Sequence, residues 1–361
     1  MLYPYKTVPI FKDYLWGGHN LKRLGKKAPD GVIAESWELC TLPGNESVIA
    51  NGVEKGRNLK ELIEKYGRLF LGHSAGKSMA GKKGVPFLLK YIDANDRLSI
   101  QVHPDDIYAF YHENGQAGKT EMWYILDAKP EACILHGFKE GCSAGEIKEA
   151  IHKGQHESIY RKIKVKKGDI VYIPAGTVHA LNEGIVAAEI QQHSNLTYRI
   201  YDYDRVDGQG NRRPLHLERA FDVISYENKK PTFRGLEIDC GNYQVRYLTI
   251  SKNFWVREWR MHGSEIKFMT EGNFHTFMIL EGEACFAHGS ERLHAGALET
   301  VVIPAGLREF YINGTFTALH TFIPDLTGNA LGPLLQAGYS MDQIRSNVAG
   351  AADEEFIKQA V

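Results

Sequence analysis

Cysteine is sparse in this 361-residue chain: Cys40, Cys133, Cys142, Cys240 and Cys285 are scattered, and no two form C-x-x-C. That pattern argues against a disulfide framework, a thiolate zinc site and a thioredoxin-type redox motif. Long apolar runs are missing as well, and no stretch approaches the ~20 residues of a membrane-spanning helix. The first 18 residues are interrupted by Pro4, Lys6, Pro9, Lys12 and Asp13, so they lack the apolar core of a signal peptide. Nor is charge of one sign in excess, because 43 Lys+Arg against 44 Asp+Glu leave a net charge of −1. Nucleic acids and anionic membranes recruit clustered cations. The one basic run, Lys162 to Lys167, alternates with apolar residues and reads as the wet face of a strand. The expectation is a soluble cytoplasmic protein with no nucleic-acid or membrane partner. At roughly 100 to 200 residues per domain, the length predicts two domains.

What is present is short β-rich segments punctuated by 36 Gly and 13 Pro, the style of a sandwich or barrel. Helical periodicity is confined to Leu59 to Phe70, Ala144 to Ile151, Leu215 to Ile224 and the C-terminal tail. The chain also resembles itself. Glu121-Met-Trp-Tyr-Ile-Leu-Asp-Ala parallels His275-Thr-Phe-Met-Ile-Leu-Glu-Gly, and each is followed by Glu-Ala-Cys, at Cys133 and Cys285. Downstream, Ile-Pro-Ala-Gly recurs at 173–176 and 303–306. Leu126 precedes Ile173 by 47 residues whereas Leu280 precedes Ile303 by 23, so the first copy carries an insertion, matched by the amphipathic stretch from Cys142 to Arg161. Strand, Gly turn, strand, then G-D-x-V-x-I-P-A-G is the pattern of a cupin jelly roll. The fold expected is mainly β: a double cupin with small helical insertions near 59–82 and 142–161. It divides into a first barrel over 1–235, a second over 236–325 and a helical extension over 326–361.

Residues present in one copy only are the candidates for chemistry. Copy one has Glu121 at the start of its strand and His179 three residues after Pro-Ala-Gly; copy two has His275 and Glu309 there. Upstream, Leu98-Ser-Ile-Gln101-Val-His103-Pro104 places Gln101 and His103 on one face of a strand, since alternate residues share a side. Buried polar groups without partners cost about 1–3 kcal/mol each, and one metal ion satisfies all of them. Gln101, His103, Glu121 and His179 supply oxygen and nitrogen donors of the kind that bind catalytic zinc, one ion per chain. Lys119, two residues before Glu121, and Arg199 add cations suited to an anionic substrate. Arg199 alone reads equally as the salt-bridge partner of Asp202, Asp204 or Glu189. Glu189, flanked by Val186, Ala187, Ala188 and Ile190, reads as a buried carboxylate: a support for the metal ligands, a general base or the partner of Arg199.

The run from Tyr91 through Gln101-Val-His-Pro-Asp105, followed by Gly118-Lys-Thr-Glu-Met-Trp-Tyr124, closely resembles the type I mannose-6-phosphate isomerases in their shorter bacterial form. Trp16-Gly-Gly18, Ala34-Glu-Ser-Trp-Glu38, Pro174-Ala-Gly-Thr-Val-His-Ala180 and the Arg199 segment extend the resemblance over roughly residues 1–325. It implies zinc held by Gln101, His103, Glu121 and His179. It also implies an active-site arginine at Arg199, a buried glutamate at Glu189, a lysine at Lys119 and a substrate-pocket serine at Ser99. The activity implied is interconversion of mannose 6-phosphate and fructose 6-phosphate through an enediolate, in a monomer or weak homodimer. The alternatives are a non-catalytic sugar-binding double cupin, an iron cupin that uses oxygen, and an isomerase of another hexose phosphate. Residues 325–361 have no counterpart in that pattern; Leu331, Leu334, Leu335, Met341 and Ile344 predict short helices packed on the second barrel or on another subunit.

Overall fold

The structure is a computed structural model that describes residues 2–78, 84–323 and 330–352. Every strand ladder is antiparallel, and the strands fall into three sheets. Two of them form the first jelly roll. The seven-stranded sheet runs, from one edge, Thr232–Phe233, Ile170–Ile173, Glu121–Ala128, Ile185–Gln192, Phe87–Ala94, Glu35–Leu39 and Ile10–Lys12. The five-stranded sheet runs Tyr198–Tyr201, Ile100–Val102, His179–Leu181, Cys133–Phe138 and Tyr160–Lys164. Trp123, Ile125, Ile92, Ile134 and Leu181 pack between these two sheets.

The other face of the seven-stranded sheet is covered too. Met122, Tyr124, Tyr91 and Ile190 meet Phe274, Met278, Val302 and Leu319 of the second barrel in one continuous core. A sheet buried on both sides has no wet face, so its strands lose the polar alternation of a half-exposed strand. Phe87–Ala94 and Ile185–Gln192 are accordingly buried at every position.

The second barrel is a nine-stranded sheet whose long members, Trp255–Met269, His275–His288 and Glu309–Phe322, shift register part-way and so bend around the core. Tyr5–Val8 pairs with Thr300–Ile303, and Val48–Ile49 pairs with Tyr5–Val8. Sheet membership changes between Thr232–Phe233 and Leu236–Asp239, on either side of residue 235, but the N-terminal strand Tyr5–Val8 lies in the second barrel's sheet, where Thr300–Ile303 needs a partner.

The first insertion forms the helix Leu59–Tyr66 and a helical stretch Arg68–Ser78 that is broken at Gly72, whose φ of +77° is not helical, and residues 79–83 lie outside the described residues. The second forms Ala144–His152, opened by a Ser143/Glu146 capping box, and His156–Ile159, set within the hairpin between Cys133–Phe138 and Tyr160–Lys164. An exposed-face helix at Asp106–His112 was not legible from periodicity, since Ala109 is its one buried residue. Beyond the second barrel, Gly332–Gln336 and Met341–Asn347 are helical, and Leu331, Leu334, Ile344, Val348 and Ala351 are buried in the second barrel's core. Among the described residues, no helix is long and apolar enough to cross a membrane.

The tail thus belongs to the second barrel's hydrophobic core. Truncating a fully buried Ile to Ala costs about 2–5 kcal/mol, so Ile344→Ala is expected to lower unfolding stability by that amount in a urea titration. A change within about 0.5 kcal/mol, the usual size for a surface substitution, would show the helix to be peripheral.

Candidate metal and anion site

Strand pairing in the first jelly roll assembles the site. His179 is the registered partner of Gln101 across the five-stranded sheet. Gly176 turns the chain with φ +85° and donates its backbone N–H to the His103 carbonyl at 2.8 Å, fastening the Pro-Ala-Gly turn beside His103. A Cβ at Gly176 would meet Val223 O at 2.9 Å, so the position needs glycine for space as well as for conformation. Glu121 starts its strand on the opposing sheet, on the side that faces inward with Trp123 and Ile125.

The result is one cluster of ligating atoms from His103, Glu121 and His179, all within 4.8 Å of one another and all buried. The His179 Nδ1 lies 2.9 Å from the Thr177 carbonyl oxygen, which can only accept, so Nδ1 carries the proton and Nε2 presents a lone pair. That lone pair faces Glu121 Oε1 at 3.2 Å. Neither nitrogen of His103 and neither oxygen of Glu121 has a partner in hydrogen-bond geometry, although Lys119 Nζ lies 3.1 Å from Glu121 Oε2. Buried polar atoms left without partners are costly, and two imidazoles with a carboxylate converging on one space are a donor set for zinc or a similar divalent ion. The residues therefore fit the metal.

Gln101 adjoins the cluster, its side-chain nitrogen 3.3 Å from His179 Nε2 and its oxygen 3.4 Å from Ser99 Oγ. Half a turn of the amide exchanges its oxygen and nitrogen, which would bring an oxygen donor to the same point. Burial first, then the Lys119 ammonium, pushes the His103 imidazole down to about 3, so it stays neutral and available as a donor. Burial favours the protonated form of Glu121, but Lys119 and the two histidines outweigh it and hold the carboxyl well below its ordinary range.

Beside the cluster lies a cavity of about 350 Å³, which Gln101, Lys119, Ser99, Glu189 and Arg199 all line. Arg199 has none of the carboxylate partners that its sequence context allowed. Asp202 is taken by Arg205 at 2.6 Å and by Arg213 at 2.7 Å, Asp204 by Arg212 at 2.8 Å, and Glu189 by Lys90 at 3.1 Å. Arg199 Nη1 donates to the Pro214 carbonyl at 2.8 Å, and among the described residues the guanidinium forms no salt bridge. It is a cation without a counter-ion in a cavity of suitable size for a small anion.

Glu189 is buried, as expected, but its partners were not foreseen. Trp123 Nε1 donates to Oε2 at 3.0 Å, and Lys90 lies 3.1 Å from Oε1 and 3.6 Å from Glu35 Oε2. Trp37 donates to the same Glu35 oxygen at 2.5 Å, and the Lys90 ammonium lies 5.0 Å from the Trp37 ring. Burial alone would lower the Lys90 pKa, yet Glu189 and Glu35 together raise it, so the lysine stays charged. The signal for Lys90 was available in Phe87-Leu-Leu-Lys-Tyr-Ile: a lone cation in a fully buried strand must meet an anion. Tyr14, Trp16, Asn195, Thr197 and Arg213 also line the cavity, and no motif marked them except Trp16.

Comparisons with known proteins agree with this geometry. Residues 5–143 match the model of the phosphomannose isomerase type I catalytic domain, and residues 244–323 that of the mannose-6-phosphate isomerase cupin domain. The chain is 35% identical over 316 residues to the probable mannose-6-phosphate isomerase GmuF of Bacillus subtilis, spanning 87% of this chain and 98% of that protein. The chain belongs to the type I phosphomannose isomerase family. Mannose-6-phosphate isomerase of Streptococcus mutans is a further family member, 36% identical over 83% of this chain and 92% of its own. A crystal structure of the Bacillus subtilis mannose 6-phosphate isomerase superposes with a TM-score of 0.80 at 33% identity, covering 88% of this chain and 99% of that one. A mannose 6-phosphate isomerase described as bound with zinc and yttrium shares the fold at a TM-score of 0.70, with 16% identity. Both expected barrels are thus those of a family with a mainly β, double-cupin fold.

In this family member, the Lys90 pair makes a sharp prediction. Lys90→Met leaves Glu35 and Glu189 buried without their cation, a loss expected to cost about 3–5 kcal/mol in urea unfolding. Adding Glu189→Gln should recover part of that loss. Additive losses in the double variant would mean that the two residues are not energetically coupled.

Proposed function

We propose that the chain is a zinc-dependent isomerase that interconverts mannose 6-phosphate and fructose 6-phosphate in its first barrel. Residues 1–235 would hold the chemistry, with one zinc on His103, Glu121, His179 and the oxygen of Gln101. Its family supports the substrate and reaction class. The observation that carries the reading is the buried cluster of two imidazoles and a carboxylate beside a small cavity lined by Gln101, Lys119 and an Arg199 that has no carboxylate partner among the described residues. The metal reading rests on the donor set and not on the distant zinc-bound neighbour, whose likeness supports the fold alone. A cytoplasmic location fits five cysteines that are all free.

Isomerisation removes a proton from C2 of the aldose, passes through an enediolate, and returns a proton at C1 while the hydroxyl proton moves between the two oxygens. When bound, zinc supplies a Lewis acid for those oxygens as negative charge grows on them. Arg199 is a permanent cation whose planar fork matches a phosphate or the enediolate. Lys119 adds positive charge at the same wall of the cavity, and Ser99 a hydroxyl. The Glu189 carboxylate lies 3.1 Å from the Lys90 ammonium and lines the cavity, and it is the group we assign to take the C2 proton. Trp123 holds that carboxylate at its other oxygen, fixing its direction. Trp16 and Ile92 line the same cavity with apolar surface and limit water near the carbanionic carbon.

A coupled assay with mannose 6-phosphate checks the whole reading: dialysis against a chelator should abolish turnover, zinc should restore it, and exclusion of oxygen should change nothing. No turnover by the zinc-loaded protein would overturn it. Arg199→Ala is expected to lower kcat/KM by about 10²–10³-fold with zinc content intact, the size of effect seen when one charge-stabilising donor is lost. Glu189→Gln should lower kcat by about 10²–10⁴-fold with little change in KM. Retention of kcat within a few-fold would remove Glu189 from the role of base.

A further inference from the structure

The second barrel contains a larger cavity, about 780 Å³, in the place where the first barrel has its active-site pocket. Strand register shows the equivalence. Glu121 pairs with Ile173 and His275 with Ile303 in the matching Ile-Pro-Ala-Gly strands. Across the sheet, Glu189 stands between Trp123 and Lys90, as His320 stands between Phe277 and Arg257. Lys90 pairs in turn with Trp37, and Arg257 with Tyr247. Glu121, Glu189 and Lys90 of the first barrel therefore correspond to His275, His320 and Arg257 of the second.

The substitutions change the chemistry in one direction. Both carboxylates have become histidines, and these are tied to each other, with His275 Nδ1 2.8 Å from His320 Nε2 and His275 Nε2 2.9 Å from the Thr270 carbonyl. The metal set is gone, but the cation is kept. Lys90 is neutralised by Glu189 and Glu35; Arg257 forms no salt bridge among the described residues, and its Nη1 donates to the Tyr247 hydroxyl at 3.4 Å. Its guanidinium lies 4.4 Å from the Phe322 ring centre and 5.4 Å from that of Tyr247. An aromatic ring also replaces an aliphatic side chain: where Ile92 lines the first cavity, Trp259 lines the second, stacked on Tyr243 at 5.2 Å with an interplanar angle of 9°. The indole nitrogens of Trp255 and Trp259 are buried without a partner. Indole N–H groups only donate, and buried donors normally have acceptors.

We propose that this cavity is a second, non-catalytic binding site for a small phosphorylated sugar. An unpaired guanidinium takes the phosphate, two indole N–H groups take hydroxyl or ring oxygens, and the aromatic walls take the apolar face of a pyranose. The volume is within the range of small-ligand pockets, roughly 300–1,000 Å³. The helix Gly332–Gln336 of the C-terminal extension closes one side through Pro333 and Gln336. The site stands independently of the proposed activity, since it uses none of the residues assigned to turnover.

Methyl α-mannopyranoside 6-phosphate is a suitable probe, because its locked ring cannot be isomerised in the first barrel. Calorimetry on the full zinc-loaded chain carrying Arg199→Met should still show one bound probe per chain. Adding Arg257→Met should weaken that binding at least tenfold, whereas Arg257→Lys should retain it within about threefold. Alone, Arg257→Met should leave isomerase kcat within twofold of wild type, which also reports that the variant is folded. Should it fail to fold, Trp259→Phe keeps the stack, removes one donor and should weaken the probe several-fold. Absence of binding to the Arg199→Met chain overturns the proposal, as does binding unaffected by the Arg257 or Trp259 change. Equal binding of inorganic phosphate and the probe overturns it too, because the aromatic walls would then contribute nothing. Isomerase activity that persists alongside any of these negative results leaves the first barrel's function standing.

Discussion

Burial of the seven-stranded sheet on both faces is the constraint on which the rest of the first barrel depends. One face packs on the five-stranded sheet and the other on the second barrel, so the charged side chains at the centre of the sheet cannot reach bulk water by turning outward. Each must find its counter-charge inside. Lys90 meets Glu189 and Glu35, Glu121 meets Lys119 and two imidazoles, and the cluster's remaining acceptors are directed at one point. Low dielectric makes these attractions strong and an unmatched partner costly. The same constraint that endangers the fold pre-arranges the site, because groups held by buried pairs have little freedom to reorient when a substrate arrives.

The cluster of His103, Glu121 and His179 was legible in the sequence because its parts are local and periodic. Gln101 and His103 share a strand face by alternation, and Glu121 and His179 sit at fixed places relative to a turn that recurs in the chain. Burial of Glu189 was legible for the same reason: a lone carboxylate in an apolar run has nowhere wet to go. Its partner was not, since which strand lies beside Ile185–Gln192 is a property of sheet order. Arg199 shows the opposite failure. Local sequence offers Asp202 and Asp204 as counter-ions, and the fold assigns both to other arginines. The helix Asp106–His112 escaped notice because a helix that buries one residue carries almost no hydrophobic period.

Duplication explains why the two barrels could diverge so far without losing register. Cross-strand pairing fixes which side chains converge, and it is indifferent to whether they are Glu, His or Arg. The inward positions are therefore a template: filled with carboxylates and histidines they suit a metal, filled with aromatics and an arginine they suit a different guest. The outward positions of the same strands are less free, because in both barrels they contribute to the core that joins the two sheets.

The pairing of Tyr5 with Val302 has a consequence for the order of events during synthesis. The strand Tyr5–Val8 is made before its partner strand, which follows nearly 300 residues later. Until then that edge is open, and the loop that must close spans nearly 300 residues. The second barrel's sheet is therefore completed late, by a segment that has waited beside a first barrel already able to collapse. Domains that fold in turn as they emerge are the usual arrangement; here the last to emerge borrows a strand from the first.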